Sequence, residues 1–167
     1  MNWRKRKKLS RRLAGAALTG DVSRVRAALR AGAPAETADS AGSTPLYLAS
    51  VGGETGIVRL LLAAGARPDT ESGIGSEGTP LCGAACWGHT ETVRVLLEHG
   101  ADPNLREDHG TGWSPLQWAS NGPHQETADL LLAAGARRCP GTDRRRQPRR
   151  GEQQEDDTER AFADSCP

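Results

Sequence analysis

The amino-acid sequence predicts an all-α solenoid, in which pairs of short helices stack one after another along the chain. Three observations support this fold class. A block of 22 residues recurs in the 167 residues, and its clear copies begin with Thr-Pro or Ser-Pro and end with Gly, 21 positions later. Only 36% of the residues are hydrophobic and 4% are aromatic. Such a composition favours close packing of small residues between helices over the core of a β-sandwich.

The repeated block is clearest in the middle of the chain. Residues 44–65, 79–100 and 114–135 align without a gap, from the Thr or Ser of each copy to its last Gly. Residues 11–32 have the same length and form a degenerate first copy. The positions at which this copy matches the others are Leu13, Ala16, Gly20 and Gly32. The chain therefore contains four copies.

Each copy predicts two short helices. Pro directly after Thr or Ser suits the first turn of a helix, and the final Gly suits a left-handed helix stop. In the third copy "PLCGAACWG" and "ETVRVLLEHG" each have one apolar face, and a turn at Gly88 separates them. The corresponding turns lie at Gly53 and at Gly122-Pro123. One helix pair cannot bury its apolar faces alone, so we expect the pairs to stack on each other.

The third copy contains, in order, Thr-Pro-Leu, Ala, Gly-His, Val-x-x-Leu-Leu and Gly-Ala-Asp-x-Asn. These motifs resemble the ankyrin repeat, and the resemblance covers about residues 10–139. It implies a helix-turn-helix unit per repeat, connectors that project as short β-hairpin fingers, and a concave surface that binds other proteins. The richness in Ala, Arg and Gly is typical of a GC-rich genome, so we expect a small bacterial-type ankyrin repeat protein.

The resemblance and the charge pattern together predict three regions. We expect a basic N-terminal arm at residues 1–9, an ankyrin repeat domain at residues 10–139 and a disordered, charged C-terminal tail at residues 140–167. The four repeats are expected at about residues 10–42, 43–77, 78–112 and 113–139.

Charge is balanced over the whole chain but not locally. The formal net charge is +1, so no global field draws the protein to nucleic acid or a membrane. Residues 1–12 carry seven Lys or Arg and no acid, and residues 152–164 carry six acids against Arg160. Both ends are expected to be solvated and mobile. The basic arm leaves one alternative function open, which is binding of nucleic acid or another anionic surface.

Two motifs depart from the ankyrin pattern. Gly-Ala-Asp-x-Asn is intact only at residues 100–104, and it becomes "GARPD" at 65–69 and "GARRC" at 135–139. The usual His after Pro-Leu is replaced by Tyr47, Cys82 and Gln117. The resemblance therefore does not carry over the hydrogen bonds that this His makes between repeats.

Two cysteines and a histidine in the third repeat raise the question of a metal or redox site. A zinc site usually needs four ligands, and here only Cys82, Cys86 and His89 could converge. Cysteines at i and i+4 of a helix are also poorly placed for a disulfide. All three align with ordinary residues of the neighbouring repeats, so we expect a packing role, with no metal and no cofactor.

The tryptophans divide into a structural one and two binding candidates. Trp118 aligns with Leu48 and Gly83 at a core position, and the missing side chain at Gly83 is expected to leave room for its indole. Trp87 and Trp113 occupy positions without a packing requirement. By resemblance they face the groove and the finger bases, and tryptophan is enriched among binding hot spots. We therefore expect them to form one apolar anchor, the alternative being that each covers a neighbouring loop.

The finger connectors "TESGIGSEG" at 70–78 and "LREDHGTGW" at 105–113 are the second binding candidate. Each is two residues longer than its equivalent after the first copy, and its charged residues suit a partner with basic groups, although charge runs often reflect simple solvation. The candidate contact residues are Glu71, Ile74, Glu77, Arg106, Glu107, Asp108 and His109.

The sequence gives little support to catalysis. "GIGSEG" lacks the Lys-Ser/Thr ending of a phosphate-binding loop, and no acid-base pair of histidines is assembled by the repeat. We therefore predict a non-enzymatic adaptor, inhibitor or immunity-type partner of an unidentified protein. The last copy keeps an apolar "ADLLLAAGA" at 128–136, which predicts weak self-association through the C-terminal repeat.

The cysteine content and the start of the chain predict a cytoplasmic location. Four cysteines without a secretory signal favour a reducing compartment. Arg11-Arg12 could belong to a twin-arginine export signal, but Asp21 and Arg24 interrupt the apolar stretch that would follow. No window approaches the roughly 20 apolar residues of a membrane span.

Overall fold

A computed structural model of the protein describes residues 3–73 and 78–138. These residues contain nine helices and no β-strand. The helices are α1 (Trp3–Leu18), α2 (Val22–Arg30), α3 (Pro45–Val51), α4 (Thr55–Ala63), α5 (Pro80–Cys86), α6 (Thr90–Glu98), α7 (Glu107–Gly110), α8 (Pro115–Asn121) and α9 (Gln125–Ala133). The C-terminal tail expected at 140–167 lies outside the described residues.

The helices form stacked pairs, in agreement with the predicted all-α solenoid. The first helices of the four pairs, α1, α3, α5 and α8, pack on one another in that order. The second helices, α2, α4, α6 and α9, form a parallel layer, and each packs on the first helix of its own pair. The short α7 belongs to the connector before the fourth pair. Each pair therefore contacts mainly its neighbours along the chain.

The helix boundaries follow the sequence signals. The hydroxyls of Thr44, Thr79 and Ser114 each accept a hydrogen bond from a backbone N–H three residues later, and Pro occupies the first turn of the helix that follows. The turn between the two helices needs a left-handed residue, and Gly88 provides it with φ of 69°. The fourth repeat has Pro123 at that position, which cannot adopt a positive φ. Its first helix therefore ends differently, with Gly122 in an extended conformation.

The core between the layers consists of leucines, valines and small residues. The fully or almost fully buried residues include Leu13, Leu46, Ala49, Val58, Leu61, Leu81, Ala84, Ala85, Val93, Val95, Leu96, Leu116, Ala119 and Leu131. Alanine at the interfaces between first helices lets neighbouring backbones approach closely, as the composition predicts.

The N-terminal basic segment, expected as an arm at residues 1–9, is helical in its described part. Helix α1 begins at Trp3 and runs through the expected boundary at residue 10 without interruption. Leu9 and Ser10 are buried, because the apolar side of α1 packs on α2 and α3. The described part of the basic segment is therefore the beginning of the first repeat helix.

The described residues of the connectors contain no β-strands, so the expected β-hairpin fingers stay a prediction. In the described part of the chain, β-type backbone pairing is limited to one isolated antiparallel bridge, between Ser72 and Gly78 of the second connector. The connector before α8 contains the single turn α7 in place of strands. No helix within the described segments is long and apolar enough to cross a membrane.

Candidate functional site

Successive repeats are joined by the same hydrogen bond at each step. The last residue of the Gly-Ala-x-x-x motif in one repeat accepts a bond from the backbone N–H of the third motif residue in the next repeat. The pairs are Glu36 with Arg67, Asp69 with Asp102, and Asn104 with Arg137. The departures from Gly-Ala-Asp-x-Asn thus keep a side-chain oxygen at this position. The sequence already contained this signal, because all three residues are carboxylates or amides.

Polar side chains also link the second helices. The hydroxyls of Thr55 and Thr92 lie 2.8 Å apart, and those of Thr90 and Thr127 lie 2.8 Å apart at the equivalent place one repeat later. His89 extends back to the preceding repeat, where its Nε2 donates a hydrogen bond to the carbonyl of Val51 over 3.0 Å. These contacts connect the repeats although the usual His after Pro-Leu is absent.

The cysteines of the third repeat have packing positions. Cys82 is fully buried, and its Sγ lies 3.7 Å from the carbonyl oxygen of Trp113 in the next connector. Burial raises the pKa of the Cys82 thiol far above its ordinary value, and burial also raises that of half-buried Cys86. Both thiols are therefore protonated at neutral pH and are poor nucleophiles and metal ligands. Among the described residues no three His, Cys, Asp or Glu side chains are placed to hold a metal ion.

Trp87 is the large apolar side chain that the repeats present to solvent near the end of α5. Its side chain is 62% exposed, and the residue ends the helix as its C-cap. The equivalent residues of the flanking repeats are Gly52 and Gly122, which end α3 and α8. Because glycine has no side chain, neither neighbouring repeat offers a side chain at this position to cover the indole.

Trp113 is only half-buried, but its ring contact is with Trp118 of its own repeat. The two ring centroids are 4.7 Å apart with an interplanar angle of 53°. Of the two tryptophans expected to form one anchor, Trp87 is therefore exposed, and Trp113 is half-buried with its ring packed on Trp118. Trp118 itself packs against the core, as expected.

The space beside Gly83, which was expected to hold the Trp118 indole, is filled from the preceding repeat. A side chain at Gly83 would meet Val51 and Tyr47 of the preceding repeat, so those residues fill the space that was assigned to Trp118. The sequence held a signal for this packing, because Tyr47 is the largest side chain at its position in the three clear repeats.

Glu107 points inward from the finger connector, whereas the sequence suggested a solvated partner-binding residue. It is half-buried over Gly78 and accepts a hydrogen bond of 2.8 Å from the indole N–H of Trp118. Burial raises the pKa of Glu107 to about 7, although the Trp118 bond favours the charged form. The negative charges of Asp108 and Glu71 raise the pKa further. Glu107 therefore anchors the connector to the repeat.

The remaining finger residues form contacts that hold the two connectors together. His109 Nδ1 lies 2.9 Å from a carboxylate oxygen of Glu71, and the His109 backbone N–H donates to the other oxygen. Arg106 Nε donates to the carbonyl of Gly112 over 2.7 Å. Asp108 and His109 have left-handed backbones, with φ of 49° and 53°, which non-glycine residues rarely adopt. Ile74 and Glu77 lie outside the described residues.

A comparison with protein families agrees with this architecture. The family model for ankyrin repeats, in three copies, matches residues 13–107 and 71–139, which together cover most of the chain. The chain belongs to the ankyrin-repeat family. Ankyrin repeats are generally non-enzymatic modules for protein–protein interaction. A search of curated proteins finds no match to the chain.

Proposed function

We propose that this ankyrin-repeat protein is a non-enzymatic binding module, an adaptor, inhibitor or immunity-type partner of another protein. It binds through its concave face and its finger connectors. The observation that carries the proposal is the exposed indole of Trp87 between two glycine positions. An indole combines a large apolar surface with few rotatable bonds, so its burial against a partner contributes much affinity at little entropic cost.

The connectors support the proposal because internal contacts already fix them. The contacts of Glu71 with the ring and the backbone N–H of His109 join two successive connectors, and the Arg106 bond to Gly112 closes the second one on itself. Preformed segments lose less conformational freedom when they dock, which favours binding. Asp108 is exposed beside them, and its charge suits a partner with basic groups and tunes specificity.

The experiment that tests this proposal compares two exposed apolar side chains. The tagged full-length chain and its Trp87→Ala variant are used to capture partners from the native cell, with Leu18→Ala as the matched control because Leu18 is 66% exposed on α1. We expect a partner that the wild type and the control retain and that Trp87→Ala loses, with a decrease in affinity of about 2 kcal/mol, or roughly thirtyfold. Equal retention by all three chains would contradict the role of Trp87.

Trp113 needs a separate variant because it also has a structural contact. Trp113→Ala removes the ring that packs on Trp118, so we expect it to decrease stability as well as any affinity. Its unfolding curve is therefore measured together with its binding. A variant that loses binding with unchanged stability would assign Trp113 to the anchor alongside Trp87.

A cytoplasmic location is part of the proposal. Cys82 and Cys86 are free thiols, one of them fully buried, as suits a reducing compartment. Weak self-association through the C-terminal repeat also stays a prediction, since Leu130 and Leu132 remain half-buried there. Sedimentation velocity at increasing concentration tests it, and a strict monomer would contradict it.

A further inference from the structure

The N-terminal half of α1 exposes cationic side chains and one aromatic side chain. Residues 4–8 and 11–12 are all exposed, and each is Lys or Arg. Trp3 is 69% exposed at the start of the helix. Helix α1 contains no Asp or Glu. Its exposed surface is therefore strongly positive, unlike the near-neutral chain as a whole.

Three of these side chains form a stripe along one face of the helix. Trp3, Lys7 and Arg11 follow one another at intervals of four residues, a spacing that places them on the same face. Lys7 Nζ lies 5.4 Å from the centre of the Trp3 ring, a cation–π distance. We call these three residues the Trp3 stripe.

The Trp3 stripe lines a groove of about 550 Å³ that separates α1 from residues 37–40 of the first connector. On its other side the stripe adjoins the exposed side chains of Lys8 and Arg12 on the same helix. Asp39 lines the groove, but one of its carboxylate oxygens accepts hydrogen bonds from the backbone N–H groups of Ala41 and Ser43. Among the described residues that line this surface, cations thus outnumber the one carboxylate.

The cations and the indole of the stripe suit some classes of anionic partner better than others. A helix that binds a lipid surface inserts its apolar face, but the apolar face of α1 is buried against α2 and α3. An acidic protein would pair with the cations, but it would also have to supply an apolar pocket for the Trp3 indole. A single-stranded nucleic acid uses both features, because its bases stack on aromatic rings while its phosphates pair with Lys and Arg.

We propose that the Trp3 stripe binds single-stranded nucleic acid, with a base stacked on Trp3 and phosphates at Lys7 and Arg11. Duplex is disfavoured because its bases are stacked on one another and cannot reach the indole. This activity uses a surface at the start of the repeat array and does not depend on the protein-binding role of Trp87.

The test is a fluorescence-anisotropy titration of the full-length chain with a labelled thymidine oligonucleotide of about 15 residues. We expect Trp3→Ala to weaken binding at least about fivefold through the lost stacking. Between about 50 and about 200 mM salt, binding is expected to weaken on the order of fiftyfold if four phosphates are neutralised. The double variant Lys7→Gln/Arg11→Gln is expected to reduce the slope of this salt dependence by about 1.4.

Two control variants separate the stripe from general effects. Leu18→Ala removes an exposed apolar side chain from the far end of α1, and Arg26→Gln/Arg30→Gln removes the same charge from exposed positions of α2. Both are expected to change the affinity less than about twofold. Circular dichroism of every variant checks that α1 and the repeats remain folded.

Several outcomes would overturn the proposal. One is the absence of binding at the lower salt concentration. A second is wild-type affinity in Trp3→Ala, together with equal losses of affinity in Lys7→Gln/Arg11→Gln and Arg26→Gln/Arg30→Gln. That result would indicate that the chain attracts any polyanion. A third is equal or tighter binding of duplex DNA, heparin or phosphatidylserine vesicles. Preferential binding of the single strand, with loss in the Trp3 and the Lys7/Arg11 variants only, supports it.

Discussion

The contacts between successive helix pairs repeat along the chain, whereas the connectors are each built differently. The hydroxyl contacts of Thr55 with Thr92 and of Thr90 with Thr127 have the same length and the same place in their repeats. In contrast, one connector contains an isolated β-bridge, and the next turns Glu107 inward to Trp118. The repeated contacts hold the array together, so the connectors can differ from one another without loss of the stacking.

The largest effect is expected in the core of the repeats, which we predict to contribute most of the free energy of unfolding. Leu96→Ala removes a fully buried side chain from the third repeat, and we expect it to lower the free energy of unfolding by about 2–5 kcal/mol through lost burial and a residual cavity. Urea denaturation followed by circular dichroism measures this loss. Leu18→Ala, at an exposed leucine, is the control and is expected to stay within about 0.5 kcal/mol of the wild type. Similar losses in both would contradict the assignment of the core.

The next effect concerns the hydroxyl pair between repeats. Thr55→Val deprives the buried Thr92 hydroxyl of its partner, and we expect a loss of about 1–3 kcal/mol in the free energy of unfolding. The double variant Thr55→Val/Thr92→Val removes both hydroxyls, so its loss is expected to be smaller than the sum of the two single losses. Strict additivity in this double-mutant cycle would show that the hydroxyls do not stabilise each other.

A smaller effect is expected at the bond that joins the motif ends. Asn104→Ala removes the acceptor for the Arg137 N–H and the donor to the Gly135 carbonyl, which we expect to cost about 1 kcal/mol. Asn104→Asp keeps the acceptor, as Asp69 does one repeat earlier, and is expected to retain most of the stability. Urea denaturation of the three chains gives the comparison. An Asp variant as unstable as the Ala variant would assign the stabilisation to the other bond.

The smallest expected effect belongs to the connector. Burial raises the pKa of Glu107 from 4.5 to about 7, so the folded protein binds this proton more tightly than the unfolded chain does. The stability that this proton contributes is present below pH 4.5 and is lost as the pH rises through about 7. Because Glu107 keeps some contact with water, we expect a change on the order of 1 kcal/mol or less.

The variant Glu107→Gln isolates this pH dependence, because the amide oxygen can still accept the Trp118 bond while the proton is lost. Melting temperatures of both chains are measured between about pH 5 and about pH 8. We expect the wild type to lose stability relative to the variant over this range. Parallel curves for the two chains would show that Glu107 does not titrate there.

The sequence was sufficient to predict the repeats and the helix ends, because those signals are local. Thr79 and the following Pro80 specify a helix start on their own, and Gly100 specifies a helix stop. The position of Glu107 could not be predicted in the same way. It depends on the path of its connector, where Asp108 and His109 adopt left-handed backbones that no residue pattern indicated.

The candidate site was predicted only in part for the same reason. Exposure of Trp87 followed from its alignment with Gly52 and Gly122, a comparison within the repeats. The contact of Trp113 with Trp118 and the filling of the space above Gly83 depend on distances between side chains in three dimensions. Alignment indicates which positions are equivalent, but it does not say which neighbouring side chain occupies a shared space.

The equal spacing of the threonine contacts makes the third repeat compatible with a copy of itself. Its Thr90 contacts Thr127, which lies 35 positions after Thr92, and Thr92 makes the equivalent contact with Thr55 of the repeat before. A second copy of residues 79–113 inserted after the first would therefore keep a threonine contact at every junction, whereas the Glu107 bond to Trp118 would remain only at the junction with the fourth repeat. The threonine contacts thus make the array extensible, because whole repeats could be added without changing the helix pairs at its two ends.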